Sequence, residues 1–329
     1  MKSDGVINWL LEDGQPSIRY LALTQLLGKN DRDPDVRSAG ELVTHGGWAA
    51  EILSKQLPDG WWISEKSLSR PKYTATYWML LILSDLGVTK NEPRIAKACE
   101  LWVKRFAKRD GGFGYDRAGT SEMCITGSTA KSLIQFGYSD HPQVKRAVQW
   151  LVRDQKENGG WRCGWRGGII DGWEPMSLFA NYPRTKWTRS IKRAVERGAE
   201  FYLSREMHKE GNRYEPWYRF HYPIHYYYDL LVGLDFITAL GFGDDRRLKL
   251  PISILKEKRR PDGRWNLDAV HPDLEGPIAE LYARKPPTPF SLETVGQPSK
   301  MITFLTQRAE KIRRLACLIS ELMWMKTRA

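Results

Sequence analysis

Two apolar patterns alternate along the chain. In "HPQVKRAVQWLVRDQ", Val144, Ala147, Val148 and Leu151 recur at helical spacing and fall on one face, with charges on the other. That is the pattern of a helix with one side against a core and the other in water. In "IRYLALTQLLG", "YWMLLILSDLG", "STAKSLIQFG" and "LLVGLDFITALG" the apolar residues leave almost no polar face, and each stretch ends in Leu-Gly or Phe-Gly. A helix apolar nearly all round belongs to an inner layer. The alternation therefore predicts helical hairpins, each with an outer and an inner helix.

A glycine turn separates the two members of each pair. It recurs near Gly14, Gly60, Gly112, Gly160, Gly211 and Gly263, at intervals of 46 to 52 residues. A constant internal period marks a repeat architecture. Six such hairpins, head to tail, make either an open solenoid or a closed ring. The expected class is all-α, an (α/α)6 toroid forming a single domain over 1–329. Pro34, Pro142 and Pro183 follow inner stretches and Pro251 lies near the start of an outer one, as punctuation at helix boundaries should. Glycine permits positive φ at these turns, and Trp61, Trp161 and Trp265 are expected to cover the end of the neighbouring repeat. The alternative role for these tryptophans is to line a ligand site. In a ring, the cavity is expected beside the inner-helix N-termini and the loops that precede them.

Composition adds limits. The 329 residues are 41% hydrophobic and 12% aromatic, with fourteen tryptophans, which is a globular composition. No run reaches the ~20 apolar residues of a bilayer span, and the first residues lack a basic segment followed by an apolar one, so a soluble cytoplasmic protein is expected. Cys99, Cys124, Cys163 and Cys317 form no C-x-x-C pair, which excludes a disulfide scaffold or zinc ribbon by spacing and leaves reduced thiols as the expectation. The net charge of +12 would attract polyanions. Acids are interspersed with the bases and no nucleic-acid motif accompanies them, so nucleic acid stays open as a partner without being indicated.

"QKENGGW" fits the Q-x-x-x-G-x-W repeat of squalene and hopene cyclases. With the ~50-residue period, the chain resembles the terpenoid cyclase and protein prenyltransferase superfamily from about Ile7 to Ile312. The resemblance implies an α/α toroid and an isoprenoid-like or other small-molecule ligand. Class II triterpene cyclases protonate an alkene with a D-x-D-D aspartate. That motif is absent, and Asp244-Asp245 reads as a surface loop. The prenyltransferase β subunit carries zinc on a D-x-C pair and a later histidine. Glu122-x-Cys124 resembles that pair with glutamate for aspartate, and His225 resembles the histidine, two repeats later rather than one.

Cys124, Cys163 and His225 occupy matching places, after a glycine turn and at or before an inner helix. Two cysteines and a histidine make an open zinc site with a fourth position free, so zinc is the expected cofactor. The alternative is that the cysteines are buried core residues. Glu122 is a candidate fourth ligand or base on metal-bound water. Asp229, a helical turn beyond His225, is a candidate to hold its imidazole. "WYRFHYPIHYYYD" supplies His221, Tyr226 and Tyr227, aromatic and polar groups suited to a cavity wall. Tyr227 is the catalytic candidate among them and the other two are substrate-binding candidates. Arg70, Lys72, Arg166 and Lys300 precede inner helices and, with helix N-termini, suit an anionic group on a partly apolar ligand.

Three function classes follow. One is a prenyltransferase-like or cyclase-like enzyme or binding protein, with zinc. Another is a toroid acting on acidic polysaccharide. The last is a non-catalytic toroid that binds protein or nucleic acid. Toward the C-terminus, "DAVHPDLEGPIAELYARKPPTPFSLETVGQPSK" reads as a long loop over the cavity mouth. Residues 299–326 read as the last inner helix, continuing into or followed by a basic amphipathic helix that could serve a homodimer.

Overall fold

The computed structural model describes residues 2–115, 119–164, 166–225, 227–270 and 292–326, with side chains from 5 to 315 within those spans. The inner helices are α2 (Pro16–Leu21, continued by a π-helical turn Ala22–Leu26), α5 (Thr76–Asp85), α7 (Met123–Gln135), α9 (Glu174–Asn181), α11 (Leu230–Ala239) and α13 (Lys300–Lys326). The outer helices are α1 (Lys2–Leu10), α3 (Pro34–Leu42) with α4 (Gly47–Ser54), α6 (Pro93–Phe106), α8 (Pro142–Asp154), α10 (Arg189–Ser204) and α12 (Lys249–Glu257). Among the described residues there are no strands, only isolated bridges such as Trp161 to Ile169.

The two patterns sort the helices into two layers. On α8, Gln143, Val144, Ala147, Val148 and Leu151 are buried and the rest of the helix meets solvent. On α7, ten of the thirteen residues are buried. The outer helices start where local chemistry satisfies their first N–H groups. Pro34, Pro93 and Pro142 lead α3, α6 and α8, and the Asp33, Glu92 and His141 side chains accept from the backbone two residues on. These are the proline and cap positions that a helix start favours.

The hairpins close into a ring. Ser84 on α5 donates to Ser132 on α7 at 2.9 Å. Gly127 on α7 lies so close to α9 that an added Cβ would fall 2.6 Å from that of Glu174. The Arg308 guanidinium on α13 holds Asp235 on α11 at 2.7 and 2.9 Å and Gln25 on α2 at 2.8 Å. Thus the last inner helix meets the first, which decides between solenoid and ring. On the outside, Lys300 donates to the Trp9 carbonyl and to Glu12 at 2.9 Å, tying the last hairpin to the first.

The glycine turns are built as repeat joints. Gln155 Nε2 donates to the carbonyls of Gly159 and Ala194, both at 2.8 Å. Gln56 Nε2 does the same to Gly60 and Arg94 at 3.1 and 3.2 Å. The indole N–H groups of Trp62, Trp161 and Trp265 each donate to a carbonyl ten residues back, Ile52, Leu151 and Leu255, at 2.7 to 2.9 Å. Trp161 also packs against Gly198 of the following outer helix. Trp62, not the expected Trp61, is the staple of its repeat. The Q-x-x-x-G-x-W spacing from Gln56 ends on Trp62, and the Trp61 indole N–H is buried without a protein acceptor.

A second joint was not visible in the sequence. Thr76, Thr126 and Thr303, each in the first turns of an inner helix, accept from the backbone N–H of Trp62, Phe113 and Trp265 at 2.9 to 3.0 Å. Each hydroxyl thereby pins the end of a glycine turn to the helix that it precedes. At the C-terminus, α13 is one continuous 27-residue helix, the continuing form of the two that the sequence left open. The expected loop over the mouth lies largely outside the described residues, at 271–291.

Candidate functional site

All six inner helices line one central cavity of about 380 Å³. It sits toward their C-terminal ends, where Asp85, Gln135 and Asn181 close α5, α7 and α9. Trp173, Tyr222 and Ile224, from the loops before α9 and α11, also line it, so it reaches from the expected N-terminal side of the ring toward the opposite end. Leu21, Trp173, Ile224, Val232, Phe304 and Leu305 supply an apolar wall. Polar groups interrupt it in pairs: Lys131 holds Asp85 at 2.7 Å, each side chain 15% exposed, and Arg308 holds Asp235. With Asp31, the lining carries three carboxylates and two cations, and the helix C-termini add negative potential.

Near the middle of the ring, a space of about 10 Å³ is bordered by Ser128, Lys131, Glu174, Ile224 and His225, room for roughly one water. Glu174 is 2% exposed and its Oε2 has no protein partner. Burial pushes its carboxyl well above the usual range, with the Cys163 and Asp171 charges adding to the effect. Burial of this kind favours the neutral form of the carboxyl over the charged one.

At the N-terminal end the structure brings two predicted residues together. Cys124 Sγ and Cys163 Sγ are 3.7 Å apart, Cys163 exposed and Cys124 partly buried. The hydrogen bond from Cys124 brings Cys163 down to about 6, helped by the backbone N–H groups of Cys124 and Met123 at the start of α7. The same bond, with burial next, pushes Cys124 up. Glu122 sits just before α7 and accepts from the Tyr115 N–H at 3.3 Å.

His225 is placed differently. Its ring stacks on Tyr73 at 4.8 Å and meets Trp78 edge-on at 5.2 Å. Among the described residues, no group of three or more His, Cys, Asp or Glu side chains is arranged to hold a metal ion. Cys124, Cys163 and His225 are thus not gathered into one such group among the described residues. Asp229, expected to hold the His225 imidazole, pairs instead with His221. Asp229 Oδ2 accepts from the His221 backbone at 3.0 Å and pairs with His221 Nδ1 at 2.6 Å, while Oδ1 caps α11 through the Val232 N–H at 2.8 Å. A cap at N3 spacing fixes Asp229, and its other oxygen reaches back to His221.

Tyr227 is half-buried, edge-on to His221 at 5.5 Å, and burial raises its phenol. Tyr226 lies outside the described residues. The basic candidates do not line the cavity. Arg70 and Arg166 are exposed, Lys72 lies over the Tyr73 ring at 5.9 Å, and Lys300 lies over Trp9 at 4.7 Å in the ring closure. The residues that do line the cavity were missed, although a signal existed. Asp85, Lys131 and Asp235 are the lone charges of α5, α7 and α11, and Arg308 is the first charge after Lys300 on α13.

A closed ring of helical hairpins around a mixed apolar and polar cavity defines the class as an α/α toroid, and part of the chain is similar to terpenoid cyclases. Residues 22–168 match the family model described as the squalene-hopene cyclase C-terminal domain. A squalene–hopene cyclase of Bradyrhizobium diazoefficiens is 29% identical over 123 residues, 34% of this chain and 18% of that protein. A terpentedienyl-diphosphate synthase of Kitasatospora griseola is 30% identical over 118 residues, 34% of this chain and 23% of that protein. The chain thus matches about a fifth of the length of these relatives. Among solved structures, a protein from Actinoplanes aligns over 96% of this chain and 100% of its own, with 17% identity and a TM-score of 0.47. The type II terpene cyclase MstE from Scytonema, in complex with geranylgeranyl dihydroxybenzoate, aligns over 85% of this chain and 97% of its own, with 14% identity and a TM-score of 0.33. No described helix is long and apolar enough to cross a membrane.

Proposed function

We propose that the central cavity binds a partly apolar, isoprenoid-like molecule with a neutral hydrogen-bonding head. The observation that carries this reading is the cavity itself: about 380 Å³, walled by apolar side chains and crossed by two ion pairs, with all six inner helices contributing. A few placed polar groups in an apolar concavity are the usual make-up of a small-molecule site. The ligand class follows the relatives, named as a squalene–hopene cyclase and a terpentedienyl-diphosphate synthase. The head is neutral because the lining's charged residues already carry one more carboxylate than cation, and a diphosphate would meet repulsion there.

Binding, rather than initiation of cyclisation, is the activity favoured. Protonating an alkene needs an acid that releases its proton readily. Burial instead holds the Glu174 proton more firmly, and a raised pKa makes a weaker acid.

The test is to measure binding of farnesol and farnesyl diphosphate to the folded chain and to Ser177→Phe, which fills the cavity from α9. Farnesol binding to the wild type and its loss in the variant is the expected result. Equal affinity for both compounds, or farnesol binding unchanged by the filled cavity, would contradict the reading.

A further inference from the structure

We propose that Cys124 and Cys163 form a redox-active dithiol that closes to a disulfide by exchange with a small-molecule disulfide at the N-terminal end of the ring. This inference is independent of what the central cavity binds. Three observations carry it. The two sulfurs are 3.7 Å apart although the residues are 39 positions apart and belong to successive hairpins. Cys163 is exposed, so a soluble disulfide can reach it, whereas Cys124 is half-covered behind it at the first turn of α7. The segment that carries Cys163 has room to move: Gly164 has φ +71°, and a Cβ built there would meet no atom within 4 Å. Closing the bond requires the sulfurs to approach to about 2.05 Å, a shift this loop can absorb while α7 stays in place.

The chemistry balances with one disulfide as oxidant. The Cys163 sulfur attacks one sulfur of R–S–S–R, forming the Cys163–S–S–R mixed disulfide and releasing the first thiolate. The Cys124 sulfur then attacks Cys163, forming the Cys124–Cys163 bond and releasing the second. The two protons of the protein thiols end on the two released R–SH molecules, and two electrons pass from the protein to the reagent. The order of attack follows exposure, since the first nucleophile must be reached from solvent. The product ties the loop after the Gly160 turn to the start of α7, next to Ser128, which donates to the Cys124 carbonyl at 2.6 Å. Cys99, 2% exposed on α6, serves as an internal control.

The experiment incubates the full chain in glutathione buffers of graded oxidised-to-reduced ratio, traps free thiols by alkylation and maps the products by mass spectrometry. The expected result is a Cys124–Cys163 disulfide that forms and reopens reversibly with the ratio, while Cys99 stays reduced. In Cys124→Ser, the glutathione adduct should accumulate on Cys163, at least tenfold over Cys99. In Cys163→Ser, Cys124 should be modified several-fold more slowly than Cys163 is in Cys124→Ser. Absence of the disulfide at every ratio overturns the proposal, as does adduct formation that is equal at all cysteines. So does a pair that reacts only after a chelator has removed one equivalent of metal, because the thiols would then be metal ligands rather than an exchange site.

Discussion

Gln155 and Ala194 join one repeat to the next through a 2.8 Å hydrogen bond from the glutamine Nε2 to the Ala194 carbonyl on α10. The same nitrogen holds the Gly159 carbonyl, and Arg197 of α10 returns a bond to Gln155 Oε1 at 3.2 Å. Gln155→Ala removes a donor from the Gly159 and Ala194 carbonyls and an acceptor from a guanidinium. The expected loss is about 1–3 kcal/mol. Gln56→Ala removes two longer bonds, at 3.1 and 3.2 Å, and should lose less. Urea denaturation of both variants checks the order, and a larger loss for Gln56→Ala would contradict it.

Two glycines with similar backbone angles should respond differently to alanine. Gly159 has φ +89° and Gly241 has φ +98°, so either substitution strains the backbone by about 1–3 kcal/mol. At Gly241 nothing lies within 4 Å of the new Cβ, whereas at Gly159 the Cβ would fall 2.5 Å from the Arg197 carbonyl oxygen. Backbone on α10 cannot turn aside as a flexible side chain can. Gly241→Ala is expected to show the strain alone, and Gly159→Ala at least twice that loss. Denaturation midpoints of the two variants give the comparison.

These joints explain why the fold was legible in the sequence. Repeat period, turn glycines and the Q-x-x-x-G-x-W spacing all serve contacts between sequence neighbours, so the residues that make the contacts recur at fixed offsets. The cavity has no such local record. Lys131 meets Asp85 across 46 residues, and Arg308 meets Asp235 across 73, distances set by the ring and not by any turn. The Cys124 and Cys163 pairing could be anticipated because both follow a glycine turn of adjacent repeats. His225 follows the same phase, yet the aromatic rings of Tyr73 and Trp78 claim it. Asp229 was read with the histidine one helical turn back, when the extended segment before α11 brings His221 to it instead.

The buried Glu174 gives stability a pH dependence with a defined sign. Its carboxyl is raised in the folded state, chiefly by burial, while in the unfolded chain it titrates near pH ~4.3. Below that value both states are protonated and the neutral carboxyl contributes its full share. As pH rises toward the folded-state value, only the unfolded state releases the proton, and stability falls by up to about 1.4 kcal/mol per pH unit from this group. Glu174→Gln keeps the shape and removes the titration. The variant should gain on the wild type progressively from pH 5 to pH 8 in urea unfolding, and a difference that does not vary with pH would refute the buried neutral acid.

Lys131 and Asp85 stand at the cavity edge as a partly covered pair, each 15% exposed at 2.7 Å. Gln135 Nε2 also reaches Asp85 Oδ1, at 3.4 Å. Removing one partner leaves the other charge among apolar walls with less compensation, so Lys131→Met and Asp85→Leu should each cost about 1–3 kcal/mol. The double variant leaves neither charge and replaces both with side chains that suit the wall. It should be more stable than at least one single variant, because desolvating two ions offsets much of what their attraction returns. The same change makes that side of the cavity apolar, so it should tighten binding of a fully hydrocarbon isoprenoid relative to farnesol. A double-mutant cycle in urea, with squalene and farnesol binding measured on the same four proteins, reads both effects. Additive losses in stability would mean that the two side chains act independently, and an unchanged squalene-to-farnesol preference would place the ligand away from this pair.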